Sequence, residues 1–519
     1  MRCIECEEIE LARVRDQRPT QTLPIPYQAM DGFPAGRTPS HLTRRRLMQW
    51  GAAGAASIYA AKELGWEQVW ESVAAAADAP DKKCVVLLYL AGGNDGLNIV
   101  LPSGGVDYSA YVDARPFIHR GQGANAADGR VGSWQMPGPA GAALAFANCT
   151  ISGAANNGGT AGFDTLFGDG TGGPGSDLAV LPAVDAKKYS LSHFDNSDLW
   201  FEASANLNNK TGWLGRWIDR NGDANNPLQA VSLDTALSKA IRTTTMPVSA
   251  INSLPMTGFK PTGSLPPSGS NNTPVWNEEV RKLSEVPVGA GNDYLARSRG
   301  SYGLTYKTSL LAGAAYAPPA GSYPTTTPTG TTLTTLSKRL QMAAHMIDVL
   351  GTQIITIHWG GFDTHTSQLV NQDRQFKELS RALAAFQADL KTRLIDHRVA
   401  TLVFSEFGRR VKETPDSTAG ANDAGTDHGA GGLMFALGTP VKGGFAADWP
   451  GCTPSKLVPA SPPISNIPQG NLQVPTDYRS VYMSVLKDWL GGDDPESLID
   501  GGVVDPLHRG DGQTGLFKT

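Results

Sequence analysis

Asp363 and His365 stand two residues apart in the turn Gly360-Gly361-Phe362-Asp363-Thr364-His365. Side chains two apart in extended chain share a face. A carboxylate beside an imidazole is a donor pair for Zn, Mn or Fe, whereas all-oxygen ligation favours Mg or Ca. Three further turns carry related chemistry. Asp95 lies in Gly92-Gly93-Asn94-Asp95-Gly96, where glycines let the chain fold sharply and send a carboxylate back over a strand end. Glu406 begins Glu406-Phe407-Gly408-Arg409-Arg410, whose arginines offer bidentate donors for a phosphate or sulfate oxyanion. His428 closes Gly425-Thr426-Asp427-His428, with Asp427 as a partner behind the ligand. Each turn also has a plain structural reading. Asp95 would be an ordinary Asn/Asp/Gly turn, Asp363 or Thr364 a helix-entry cap with His365 on the surface, and Glu406 the ion-pair partner of Arg409. His358, inside an apolar run, reads as a core histidine.

Apolar runs position these turns. Cys84–Ala91, Gln353–Trp359 and Val399–Ser405 end at the first three, and Leu433–Gly438 follows the last. Continuous runs of this length suit parallel strands covered on both faces, and in such sheets the chemistry gathers at the carboxyl ends. Leu178–Val184 is another strand candidate, and Val231–Leu265 offers more. Leu336, Leu340, Ala343, Ile347 and Leu350 recur at helical spacing before one strand. Phe376, Leu379, Leu383, Phe386, Leu390 and Leu394 do the same before the next. This alternation predicts right-handed crossovers and a mostly parallel sheet. Helical patterns also cover Ser192–Ser204, Gly212–Asp219 and Ser480–Leu490. The stretch 121–175, rich in Gly, Ala, Asn and Asp, reads as a surface insertion, and 315–332, rich in Pro and Thr, as a linker or loop.

A chain of 519 residues has room for one large α/β domain with insertions or for two domains. The reading assigns residues 81–519 to one α/β domain and residues 1–80 to an N-terminal extension with an export signal. Thr43-Arg44-Arg45-Arg46-Leu47-Met48, the weakly apolar Gln49–Ala61 and the alanines 74–77 make the tripartite pattern of a twin-arginine signal. The alternative is a basic amphipathic helix. About forty residues precede the arginines, more than such signals carry, so Met30 is the expected start. A net charge of -5 is mild and gives no indication of a nucleic-acid partner. No run reaches the roughly 18 apolar residues of a membrane span. Cys3 and Cys6 lie upstream of the signal, which leaves Cys84, Cys149 and Cys452 and at most one disulfide, with Cys84 read as a buried thiol.

The segments GGNDGLN, SHFD-x-x-D-x-W, GWLGRW, GGFDTH, SEFGRR, GTDHGAGG and DYRSVY, in this order, resemble the bacterial exported family called domain of unknown function 1501. The resemblance covers most of residues 82–492. It places the chain near the alkaline phosphatase and sulfatase-like superfamily, and implies an α/β/α sandwich with up to two metal ions facing an activated hydroxyl. By that resemblance Asp95 corresponds to the first-strand metal aspartate, Asp363 and His365 to ligands of the other ion, and His428 to the late histidine. The spacing of Asp363 and His365 is tighter than the superfamily often shows. Glu406 takes the place of an Asp-His pair whose histidine is replaced by Phe407, so one site is short of an imidazole. Ser192 stands where the nucleophile would be, although with Asp195 it equally reads as an N-cap. His193 is a ligand, a substrate contact or a surface residue. Cys452-Thr453-Pro454-Ser455 mimics a sulfatase cysteine motif, but Lys456 replaces its arginine and it lies too late in the chain.

The resulting expectation is an exported hydrolase of phosphate or sulfate esters, periplasmic or extracellular. Asp95, Asp363, His365, Glu406 and His428 would hold one or two divalent ions (Zn, Mn, Mg or Ca). Ser192, His193 and Arg409 would act on a small anionic ester. The expected partners are that substrate and the twin-arginine export machinery, with no nucleic acid. A rival from another class is a catalytically silent binding protein that reuses the fold.

Overall fold

The computed structural model describes residues 56–59, 66–77, 79, 81–122, 131–132, 134–136, 142–153, 161–173, 175–186, 191–204, 210–252, 279, 282–284, 286, 323–326, 332–414, 424–458, 470–499 and 505–518. The paired arginines, Met30, Cys3 and Cys6 lie outside these residues, as does most of 315–332.

Ten strands form the main sheet: β1 Ala56–Tyr59, β2 Cys84–Ala91, β3 Leu178–Asp185, β4 Ala230–Ser232, β5 Val248–Ile251, β6 Ile354–Gly360, β7 Val399–Phe404, β8 Gly432–Leu437, β9 Gly444–Phe445 and β10 Thr476–Asp477. Their order is β1-β5-β4-β6-β2-β7-β8-β3-β9, and β10 also pairs with β3. Every pairing from β5 through β7 is parallel. β1 and β8 run against their neighbours. The sheet is therefore mixed but mostly parallel, as the apolar runs predict.

Alternation along β2 builds the layers. Cys84, Val86, Leu88 and Leu90 point into a core shared with α1 (Trp66–Ala77), α5 (Thr335–Leu350) and α6 (Gln368–Thr392). Val85, Leu87 and Tyr89 point into a second core with α3 (His193–Glu202), α4 (Trp213–Asn221) and α7 (Tyr478–Ser484). Period-two side chains on a doubly covered strand give three layers, α/β/α. Helix α2 (Gly105–Ala114) ends at Arg115, its C-cap.

Aromatic packing fixes α3, which carries His193. Trp200 stacks on Phe404 of β7 and on Tyr478 of α7, with ring centroids 5.1 and 4.6 Å apart. The Tyr478 hydroxyl donates to the carbonyls of Leu199 and Ser204 at the helix end. Such stacks contribute roughly 0.5–1.5 kcal/mol each beyond burial.

The structure departs from the sequence reading in several places. Segment 121–175 is not all surface: Leu144, Phe146, Phe163 and Phe167 are fully buried, and Phe163 packs on Phe435 of β8. The composition of that stretch hid four anchoring residues. Helix α6 ends at Thr392, so Leu394 lies beyond it and is exposed. The closing helix starts earlier, at Tyr478, and passes into a π-helical turn over Val485–Leu490. Ala56–Tyr59, inside the expected apolar signal stretch, pairs as the edge strand, and the alanines 74–77 close α1. Among the described residues no helix is long and apolar enough to cross a membrane. Cys84, Cys149 and Cys452 are all free, and burial pushes the Cys84 thiol up to about 12.

Candidate metal centre

The ends of β6, β2 and β7 lie side by side, and β8 comes next. Because β8 is antiparallel, the residues that precede it share an edge with the residues that follow the others. A two-residue ribbon pairs Arg409 with His428 across that edge. His428 is thus delivered from the start of a strand to a site built from strand ends.

Asp363 is the hub. Its Oδ1 lies 3.0 Å from His365 Nε2 and 3.1 Å from His428 Nε2, and its Oδ2 lies 3.5 Å from His193 Nε2. The Nε2 atoms of His365 and His428 are 3.1 Å apart. One ligand atom from each of His193, Asp363 and His428 falls within 4.8 Å of the others. Ligands bonded at about 2.0–2.1 Å to a tetrahedral zinc stand about 3.3–3.4 Å apart, so the 3.0–3.5 Å contacts of Asp363 match such a shell, while the 4.8 Å group span is wider.

The other nitrogen of each ring decides whether these atoms can ligate. His428 Nδ1–H donates to the Leu191 carbonyl at 2.9 Å. His365 Nδ1 faces the Asp427 carboxylate at 3.3 Å, and His193 Nδ1 faces Glu406 at 2.6 Å. An acceptor on Nδ1 sets the tautomer whose Nε2 carries the lone pair, the usual arrangement behind a metal-bound histidine. Leu191 holds φ +60, an unfavourable conformation for a branched residue, and its carbonyl is the one that meets His428.

Electrostatics separate the three rings. Burial pushes His428 down to about 4 despite its contact with Asp363. Burial also opposes protonation of His193, but hydrogen bonds to Asp363 and Glu406 and their charges hold it up at about 9. His365 is raised by Asp363 and Asp427 against the same burial. Asp363 itself, which burial would push up, is held far below the carboxylate range by the three histidines and Arg409. Its side chain remains 40% exposed, so the centre opens to solvent.

Two expected ligands are not brought to this cluster. Asp95 is buried in a bidentate pair with Arg115, at 2.6 and 3.0 Å, and accepts from Gln368 Nε2 at 2.5 Å. Its charge is answered by a guanidinium twenty residues along the chain. Glu406 does not face Asp363: its oxygens accept from Gly92 and Gly93 N–H and from His193, one layer behind the ligands. Gly92 needs its φ of +120, and a Cβ there would sit 2.2 Å from the Asp363 amide nitrogen. Gly92→Ala is expected to shift that turn and cost at least about 2 kcal/mol in urea unfolding.

The three residues expected to act on substrate divide. His193 joins the candidate cluster with Asp363 and His428. Ser192 caps α3, its hydroxyl accepting from the Asp195 amide at 3.5 Å, which is the capping alternative. Arg409 is fully buried and donates to the carbonyls of Gly92, Gly93, Phe362 and Thr426 and to Asp363, so it braces the turns from inside. Phe407 packs its ring against His193 and His428, at 5.0 and 4.4 Å. His358, expected in the core, has a side chain 54% exposed. Cys452 bonds to Asp107 of α2 instead of meeting the ligands. Arg115 and Gln368 were missed, since nothing in their spacing ties them to Asp95.

The backing groups give a direct test. Asp427→Ala and Glu406→Gln should each weaken divalent-ion binding about 10- to 100-fold, read by competition with a chromophoric chelator.

The fold and centre define an α/β protein with a histidine-rich site at its strand ends. A protein-family model described as "Protein of unknown function (DUF1501)" matches residues 308–493. That span holds Asp363, His365, Glu406, Arg409 and His428, but not His193. No curated protein matches the chain. Among solved structures, alkaline phosphatase from the Antarctic bacterium TAB5 is similar at 8% identity and a TM-score of 0.24, over 69% of this chain and 92% of that one. A mutant of that enzyme with Mg bound gives 8% identity, a TM-score of 0.23 and coverage of 69% and 91%. The fold is defined by the strand order of the main sheet.

Proposed function

We propose that the chain is an exported, metal-dependent hydrolase of phosphate or sulfate esters. The observation that supports this is the convergence of three imidazole Nε2 atoms on one half-exposed carboxylate. His193, His365, His428 and Asp363 would hold the ion, a donor set suited to Zn or Mn. A divalent ion there supplies Lewis acidity toward an ester oxygen. The chain supplies the rest. Glu406, Asp427 and the Leu191 carbonyl keep each ring in its ligating tautomer. Ser192, adjacent to His193, is the residue to test as nucleophile, with solvent water as the alternative.

The centre fits one ion. Asp95 already has a cationic partner in Arg115, and Glu406 is committed to two amides and a histidine. Metal analysis should saturate at one equivalent per chain.

Proton release provides another expected result. With a pKa near 9, His193 is protonated at pH 7, and an ion must displace that proton. At least one proton should be released per ion at pH 7, and apparent affinity should rise roughly tenfold per pH unit toward pH 9. Calorimetry in buffers of different ionisation enthalpy measures this directly; affinity independent of pH would contradict it.

A second reading, a catalytically silent binding protein, is favoured by the enclosure of Arg409, which takes away the expected oxyanion clamp. A panel of aryl phosphate, phosphodiester and sulfate substrates separates the two. Turnover lost in Asp363→Asn supports the hydrolase, and full metal occupancy with no turnover supports the binding protein. Export rests on the Thr43–Ala61 sequence and is tested by fusing residues 1–80 to a reporter in cells with and without the twin-arginine translocase.

A further inference from the structure

A cavity of about 230 Å³ lies at the ends of β4 and β6, lined in part by the helix that carries His193. Two elements link it to the centre. Helix α3 places His193 at the ligands and Ser197 and Phe201 in the cavity wall. These positions are spaced i, i+4 and i+8, so they share one face of the helix. Four residues, about 6 Å of helical rise, separate the ligand from the nearest wall residue. Strand β6 contributes His358 to the wall, and the turn that follows it carries Asp363 to the ligand cluster. Tyr89 also lines the cavity, and burial first, then the nearby Glu406 carboxylate, holds its phenol well above the usual range.

The lining narrows the ligand chemistry. Tyr89 and Phe201 meet edge to face at 4.9 Å and, with Leu87 and Leu237, give apolar and aromatic walls. Charges there are internally balanced. Lys239 pairs with Asp198, and Asp234 lies 3.5 Å from Arg339 and 3.8 Å from His358, whose pKa burial lowers. A balanced wall offers no net attraction to a second anion. Ser197 and Ser238 add hydroxyls to the wall. The volume falls below the roughly 300 Å³ at the low end of whole-ligand pockets, so the cavity suits one part of a substrate.

We propose that this cavity receives the neutral, ring-sized organic group of an ester whose anionic end meets the metal centre. The inference rests on the hydrolase reading for the identity of that ester, and its test separates the two. Saturation-transfer NMR on the metal-loaded full chain, with benzyl alcohol and methyl α-glucoside as probes, reads ring binding without turnover. At least one probe should give a transfer signal that disappears in Ser197→Leu and in Phe201→Ala. In turnover assays Phe201→Ala should raise KM for benzyl phosphate at least tenfold while leaving methyl phosphate unchanged. Ring binding without any turnover supports the cavity and removes the hydrolase reading. Turnover with neither ring binding nor a benzyl-over-methyl preference overturns the cavity and leaves the hydrolase reading standing. Loss of folding in one variant leaves the other, and the wild-type signal, to decide.

Discussion

Asp363→Asn is expected to lower divalent-ion affinity by at least about a hundredfold, more than the loss of any single backing group. Turnover should fall in step. The reason is geometric, because all three imidazole Nε2 atoms are gathered around this one carboxylate. Its amide would keep the shape but lose the charge that draws the ion. Stability should change by no more than about 1–2 kcal/mol, since the side chain is half exposed and Arg409 keeps its four carbonyl partners. Chelator competition and urea unfolding of the same preparation measure both quantities. Unchanged affinity would remove Asp363 from the ligand set.

Arg115→Met is expected to have the largest effect on stability. Arg115 and Asp95 are 0% and 1% exposed, and the guanidinium also donates to Asn98 and to the carbonyls of Arg410 and Val411. Removing one partner strands a buried carboxylate, which costs about 3–5 kcal/mol. Combining it with Asp95→Asn should recover a large part of that loss, because the uncompensated charge is then gone. Urea denaturation of the single and double variants checks this. A cost below about 1 kcal/mol for the single change would mean that Asp95 finds another partner, such as a second ion.

Much of the fold is legible because burial on two faces leaves a direct trace in sequence. Cys84–Ala91 is uninterruptedly apolar since both its faces meet helices, and it forms a strand with those bounds. The helical spacing from Leu336 to Leu350 likewise marks the buried face of α5. Strand direction leaves no such trace. Leu433–Gly438 reads the same parallel or antiparallel, yet its reversal is what brings His428 to the site. The centre was legible in part for the same reason. Asp363, His365 and His428 sit on turns next to strands, where position follows from topology. His193 opens a helix, and its role depends on how α3 docks through Trp200, which no spacing encodes. Asp95 carried the right residue type on the right turn, but a guanidinium reached it first.

Anomalous diffraction from crystals grown with zinc or manganese tests the central claim most directly. The account predicts one peak per chain, about 2.0–2.3 Å from the Nε2 atoms of His193, His365 and His428 and from an Asp363 oxygen. No peak among those four side chains, or a principal peak beside Asp95, would contradict it.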